Sequence, residues 1–341
     1  MKNLQKRKHE IVMFLIAGIM ILAFLIGVNF FKINSKTLEK TQKNSKVFEK
    51  HIAMINVNSS EEFWASVYKS AKEEGEEKGI YVEEFGDKLI EDFTAAELME
   101  MAIAAKVDGI IVKPDKSEAL GEMIQKAEKE KIPVITLLED VRNSGRLSFV
   151  SGNDYAMGEM YGNQIVEAVE EESSDTDEKI RVGVLVNSND ENSEPNLIYS
   201  AIHETTSSVK NKIELSAIMV DNSTRFQSEE TVRDLLLSVE PPDLLVCLNT
   251  EDTISAYQSI IEYNRVGETS VIGYYTSKDT LEGIQKGIVT SSVLIDAKKV
   301  GETAVAGMYQ YWEKGYVNEY LTVTPVLVTK ENVNKYTNES K

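Results

Sequence analysis

From His51 onward, short and almost wholly apolar runs alternate with longer stretches whose apolar residues recur at helical spacing. This is the βαβ pattern of a parallel sheet covered on both faces. Strands are predicted over 51–57, 80–85, 109–112, 133–138, 147–150, 180–186, 213–220, 243–248, 270–275, 288–294 and 321–328, with helices in most of the gaps. Thr94-Ala95-Ala96-Glu97 is a capping box opening one helix, and Lys131-Ile132-Pro133 closes the next before a strand. Eleven strands exceed what one compact doubly wound sheet of this length carries, so the pattern predicts two sheets in two lobes.

The segment before His51 is different. Residues 11–31 are uncharged and apolar, and as a helix they span roughly 31 Å, the thickness of a bilayer's hydrocarbon. They read as a transmembrane helix. A cleavable signal peptide has a shorter apolar region followed by small residues, whereas Val28-Asn29-Phe30-Phe31-Lys32 stands here. Residues 1–10 then form a short tail and 32–50 a polar, Lys-rich spacer. Lysines flank the span on both sides, so charge alone leaves its orientation open.

Composition narrows the functions. The 341 residues are 42% hydrophobic and 27% charged, an ordinary globular balance, with a formal net charge of −19 that repels phosphate backbones. Nucleic acid is therefore excluded as an ordinary electrostatic partner. The single cysteine rules out an intramolecular disulfide and a multi-cysteine metal site, and three scattered histidines offer no His-rich one. No Gly-rich nucleotide loop, G-x-S-x-G elbow or H-E-x-x-H motif occurs. Cys247, inside Leu244-Leu245-Val246-Cys247-Leu248, reads as a small buried thiol. The acidic run 170–179 reads as a solvated loop. No enzyme, cofactor or metal is expected.

In open parallel sheets ligands bind outside the C-terminal ends of the strands. Those ends carry Phe63 and Trp64, then Lys113-Pro114-Asp115, Leu138-Glu139-Asp140, Gly152-Asn153-Asp154-Tyr155, Asn249-Thr250-Glu251-Asp252 and Tyr274-Tyr275-Thr276. Aromatic faces stack on the C–H face of a sugar while carboxylates and amides bind its hydroxyls, so this inventory suits a small polar ligand.

Across about residues 52–330 the chain resembles the type I periplasmic solute-binding proteins of the ribose- and galactose-binding kind. The resemblance is carried by Phe63-Trp64, by Val107-Asp108-Gly109-Ile110-Ile111-Val112-Lys113-Pro114 and by Ile132-Pro133-Val134-Ile135-Thr136. It continues through Gly152-Asn153-Asp154, Asp243-Leu244-Leu245-Val246-Cys247-Leu248-Asn249 and Val271-Ile272-Gly273-Tyr274. It implies an α/β fold of two Rossmann-like lobes with parallel sheets, joined by three crossovers and closing by hinge motion. The family layout places lobe one at about 51–152 and 295–322, and lobe two at about 153–294 and 323–332 of a binding domain over 51–332. It also implies ligand-binding roles for Phe63, Trp64, Lys113, Glu139, Asp140, Asn153, Asp154, Asn249 and Tyr274. Together with the apolar span at 11–31 as an anchor, the resemblance implies a single-pass membrane protein whose extracytoplasmic domain closes over a carbohydrate. Its partner would be an ABC-type permease or a sensor histidine kinase.

The departures from the family pattern are equally specific. An Asp-Arg pair usual after the fourth strand is replaced by Leu138-Glu139-Asp140, the arginine expected within 187–196 is missing, Tyr275 stands for an aspartate, and Leu294 falls where the hinge carries an amide. A rival reading is an interaction protein with a vestigial cleft. Single residues stay open as well. Asn249 also reads as a helix cap, Glu139 and Asp140 as solvated acids, and Lys113 as the partner of Asp115 or Glu139. Strand alternation brings only one of Tyr274 and Tyr275 to a cleft.

Overall fold

Runs such as Gly109–Val112, Val134–Leu137 and Leu244–Cys247 are buried at every position. That is the signature of parallel strands with helices on both faces. The computed structural model describes residues 48–57, 62–87, 89, 93–115, 117–171, 178–188, 194–221 and 225–337. The expected transmembrane span at 11–31 and nearly all of the spacer lie outside these residues. Among the described residues no helix is long and apolar enough to cross a membrane.

The first sheet contains β1 (Lys50–Ile55), β2 (Ile80–Glu84), β3 (Gly109–Val112), β4 (Val134–Leu137), β5 (Ser148–Gly152) and β11 (Tyr320–Val323). Their order is β11-β5-β4-β3-β1-β2, and every neighbouring pair is parallel. The second contains β6 (Ile180–Asn187), β7 (Ile213–Val220), β8 (Leu244–Cys247), β9 (Ser270–Tyr274), β10 (Val289–Ile295) and β12 (Pro325–Thr329). Its order is β12-β10-β9-β8-β6-β7, parallel except where β12 runs against β10. Around the first sheet lie α1 (Glu62–Glu77), α2 (Ala95–Ala104), α3 (Glu118–Lys129) and α9 (Ala297–Lys314). The second carries α4 (Asp154–Glu171), α5 (Glu194–Thr205), α6 (Arg225–Leu236), α7 (Thr250–Glu262), α8 (Lys278–Lys286) and α10 (Val333–Thr337).

The expected capping box at Thr94 and Glu97 is present in both directions at the start of α2. One expectation is corrected: the run 321–328 is two strands in two sheets. Pro325 lacks an N–H and restricts the residue before it, so the chain leaves the first sheet after Val323 and pairs antiparallel with β10 from Pro325. The described chain therefore has twelve strands.

Three connections pass between the sheets, at β5 to α4, β10 to α9 and β11 to β12. They lie against one another: the Asn153 N–H donates to the Val323 carbonyl at 3.2 Å, and a Cβ on Gly152 would lie 2.7 Å from Ile295 Cδ1. α4 carries the first connection into the second lobe, where the fully buried Tyr161 donates its hydroxyl to the carbonyls of Cys247 (3.1 Å) and Gly273 (3.3 Å). One hydrophobic cluster accordingly includes residues of both sheets, among them Ile52, Met54, Val184, Ile272 and Val293.

Candidate functional site

The residues that follow β1 and β9, in different sheets, meet face to edge. Glu62 begins α1, so Phe63 and Trp64 stand in its first turn at the C-terminal end of β1. Trp64 is buried and Phe63 half-buried, their rings edge to face at 5.1 Å. From the second lobe Tyr275 packs against Phe63, ring centroids 5.6 Å apart, and Tyr274 lies 6.5 Å from Tyr275. On the other side Lys113, just past β3, holds its Nζ 5.7 Å above the Trp64 ring. Neither Asp115 nor Glu139 pairs with it. Asp115 instead accepts the N–H groups of Ala95 and Ser117, and among the described residues no carboxylate lies within ion-pair distance of Lys113. Lys113, Trp64, Phe63, Tyr275 and Tyr274 thus form one continuous ladder from lobe to lobe.

Tyr274 links this ladder to the crossover. Its N–H donates to Thr253 Oγ1 at 2.9 Å, and burial pushes its phenol up to about 12, with the negative charges of Asp154 and Glu251 adding to the shift. Asp154 begins α4 beside Asn153, and burial raises its carboxyl above the ordinary range. Among the described residues its carboxylate has no hydrogen-bond or ion-pair partner. Lys113 and Asp154, both half-buried and without an ion-pair partner among the described residues, thus carry opposite charge at the Trp64 end and the Tyr274 end of the ladder.

Of the remaining candidates, the side chains of Asn249, Asn153 and Asp140 are engaged locally. Asn249 caps α7, its Oδ1 accepting from the Asp252 N–H at 2.8 Å and its Nδ2 donating to the Asp252 carboxylate at 2.6 Å. Asn153 accepts the Ala156 N–H at 3.1 Å, capping α4. Leu138 turns the chain with φ 58°, the Glu139 N–H donates back to Leu137 O at 2.7 Å, and Glu139 is half-buried at the end of β4. Asp140 belongs elsewhere: its carboxylate is gripped by Nε and Nη2 of Arg146, the latter at 2.9 Å. Arg146, whose side chain is 5% exposed, lies over Phe149 and Tyr320 and donates to Glu319 O. An Asp-Arg pair does follow the fourth strand, then, but it fastens the β5–β11 edge.

Tyr274 and Tyr275 do not alternate as neighbours on a strand. β9 ends at Tyr274, and Tyr275 turns into the left-handed region (φ 64°), pinned by its N–H to Val293 O at 2.9 Å and by the Ser292 hydroxyl on its own carbonyl at 2.6 Å. A separate groove of about 760 Å³ lies at the opposite, N-terminal ends of the first sheet's strands, between Lys50, Asp108, Tyr311 and Trp312.

This architecture has relatives. Residues 52–315 match the family model described as periplasmic binding protein domain. The chain belongs to the periplasmic binding protein family. Its fold is similar to that of AraP, an arabinose-binding protein from Geobacillus stearothermophilus, with TM-score 0.72, 16% identity, and coverage of 84% of this chain and 99% of that one. A solute-binding protein from Actinobacillus succinogenes, solved with bound D-allose, gives TM-score 0.69 and 22% identity, covering 84% of this chain and all of that one. The XylFII–LytSN complex gives 0.61 and 20%, with 83% and 99% covered. No curated protein matched the sequence.

Proposed function

We propose that this chain is a membrane-anchored extracytoplasmic receptor that closes its two lobes over a small sugar. The observation that carries the proposal is the cleft wall itself. Aromatic faces of Trp64, Phe63, Tyr274 and Tyr275 stand between the ammonium of Lys113 and the carboxylate of Asp154, neither with an ion-pair partner among the described residues. A sugar uses such a wall by stacking its C–H face on a ring and exchanging hydroxyl hydrogen bonds with the charges. Sugar closes the lobes because it binds the closed form better, and a membrane partner reads that form. Delivery to an ABC permease is supported by the neighbour with bound D-allose, an ABC transporter solute-binding protein, and signalling to a membrane partner, for which we name a sensor kinase, by the neighbour solved in complex with a second protein, LytSN. The anchor at 11–31 favours the stationary sensor, and retention in the membrane fraction after a carbonate wash tests it.

A second reading, a receptor with a vestigial cleft, is favoured by the local engagement of Asn249 and Asp140. A thermal-shift panel of sugars, polyols and amines separates the two. Ligand at 100-fold over its dissociation constant stabilises by about 2.7 kcal/mol, an upward shift of about 4 °C for a body of this size. A flat panel, with unchanged small-angle scattering, refutes the sugar reading.

A further inference from the structure

The interlobe contact between Phe63 and Tyr275 is made wholly by the chain, and both rings are held from behind. Phe63 rests edge to face on Trp64, which the core buries and Lys113 covers. Tyr275 is fixed by two hydrogen bonds to β10, the strand that leads into the second crossover. A non-glycine residue at positive φ is uncommon, and it persists only where its surroundings over-determine it. Ring centroids 5.6 Å apart leave no room for a sugar between them, so this pair is a contact of lobe on lobe rather than two halves of a sandwich.

We propose that Phe63 and Tyr275 form an aromatic latch that biases the lobes toward their closed arrangement before ligand arrives, with Tyr275 as its positioning residue. An edge-to-face pair shifts an equilibrium by roughly 2- to 12-fold. Ligand then supplies that much less of the differential affinity needed to complete closure. The regulatory meaning rests on the proposed sugar-binding function, while the latch itself is measurable without any sugar. Tyr274 and Asp154 stay beside the latch as further ligand-facing groups.

The test is a distance measurement by electron spin resonance on the full chain, with spin labels on cysteines placed at Glu118 and Lys278. These exposed residues begin α3 and α8 on opposite lobes. Cys247, fully buried, stays unlabelled. Without sugar, Phe63→Ala and Tyr275→Ala are each expected to lower the closed-to-open ratio by about 2- to 12-fold. The double variant should go no further than the stronger single, and Tyr275→Phe should keep the wild-type ratio. If Tyr275→Ala fails to fold, Tyr275→Leu keeps apolar packing on the second lobe and is expected to open it equally. An unchanged ratio in the single variants, or a double variant whose shift is the product of the two, overturns the latch. Sugars that leave the distribution unchanged refute the sugar reading and do not touch the comparison made without them.

Discussion

Tyr161→Phe removes one oxygen from the place where the first crossover helix grips the second lobe. The hydroxyl is fully buried and donates toward two carbonyls, Cys247 O at 3.1 Å and Gly273 O at 3.3 Å, at the ends of β8 and β9 that carry Asn249 and Tyr274. Losing one net hydrogen bond costs about 1 kcal/mol, and a carbonyl left without a donor in a dry site brings the total to about 1–3 kcal/mol. Unfolding entropy scales with chain length, so over roughly 290 residues this is a fall of about 2–5 °C in Tm. Urea titration of wild type and variant, fitted with a common slope, measures it directly. A difference below about 0.5 kcal/mol refutes the view that this hydroxyl fastens α4 to the second sheet. Burial also raises the phenol well above its ordinary value, so Tyr161 stays protonated through the alkaline range in which exposed tyrosines ionise, and the variant should titrate there like the wild type.

Asp154→Asn tests the buried carboxyl by pH. Because its folded value is raised above the ordinary 3.8, its protonated form stabilises the fold, and that stability is lost as pH rises from 3.8 through the raised value. The variant's stability relative to wild type should therefore improve over that window in thermal melts, and a flat difference refutes the assignment. Asp140→Ala strands the buried Arg146 guanidinium and should cost about 3–5 kcal/mol in urea titration, whereas Asp140→Leu with Arg146→Met recovers most of it. Ligand stabilisation is expected to survive in that double variant. Lys113→Met, which exchanges a half-buried ammonium for a thioether, should leave the melting temperature within about 2 °C and abolish the sugar-induced shift. Equal shifts in wild type and Lys113→Met refute a ligand role for the ammonium.

The two-lobed parallel fold was legible in the sequence because strands buried on both faces must be continuously apolar, and the intervening helices must show one apolar stripe. Local signals were legible for the same reason of short range: the capping box at Thr94, and Asn249 as a helix cap, need only three residues of sequence. The break at Pro325 is not legible along the chain, because 321–328 reads as one strand-like run and only the sheet that each half joins separates them.

What the sequence determined by itself is therefore the periodicity, the acidic body and the polar, aromatic character of the strand ends. Tertiary structure decided which of those end residues keep a free function. Asp140 is claimed by an arginine six positions on, and Tyr275 meets a phenylalanine from the far end of the chain. The physical reason is that a side chain's availability depends on what else lies within a few ångströms. Contacts between residues distant in sequence leave no periodicity along the chain.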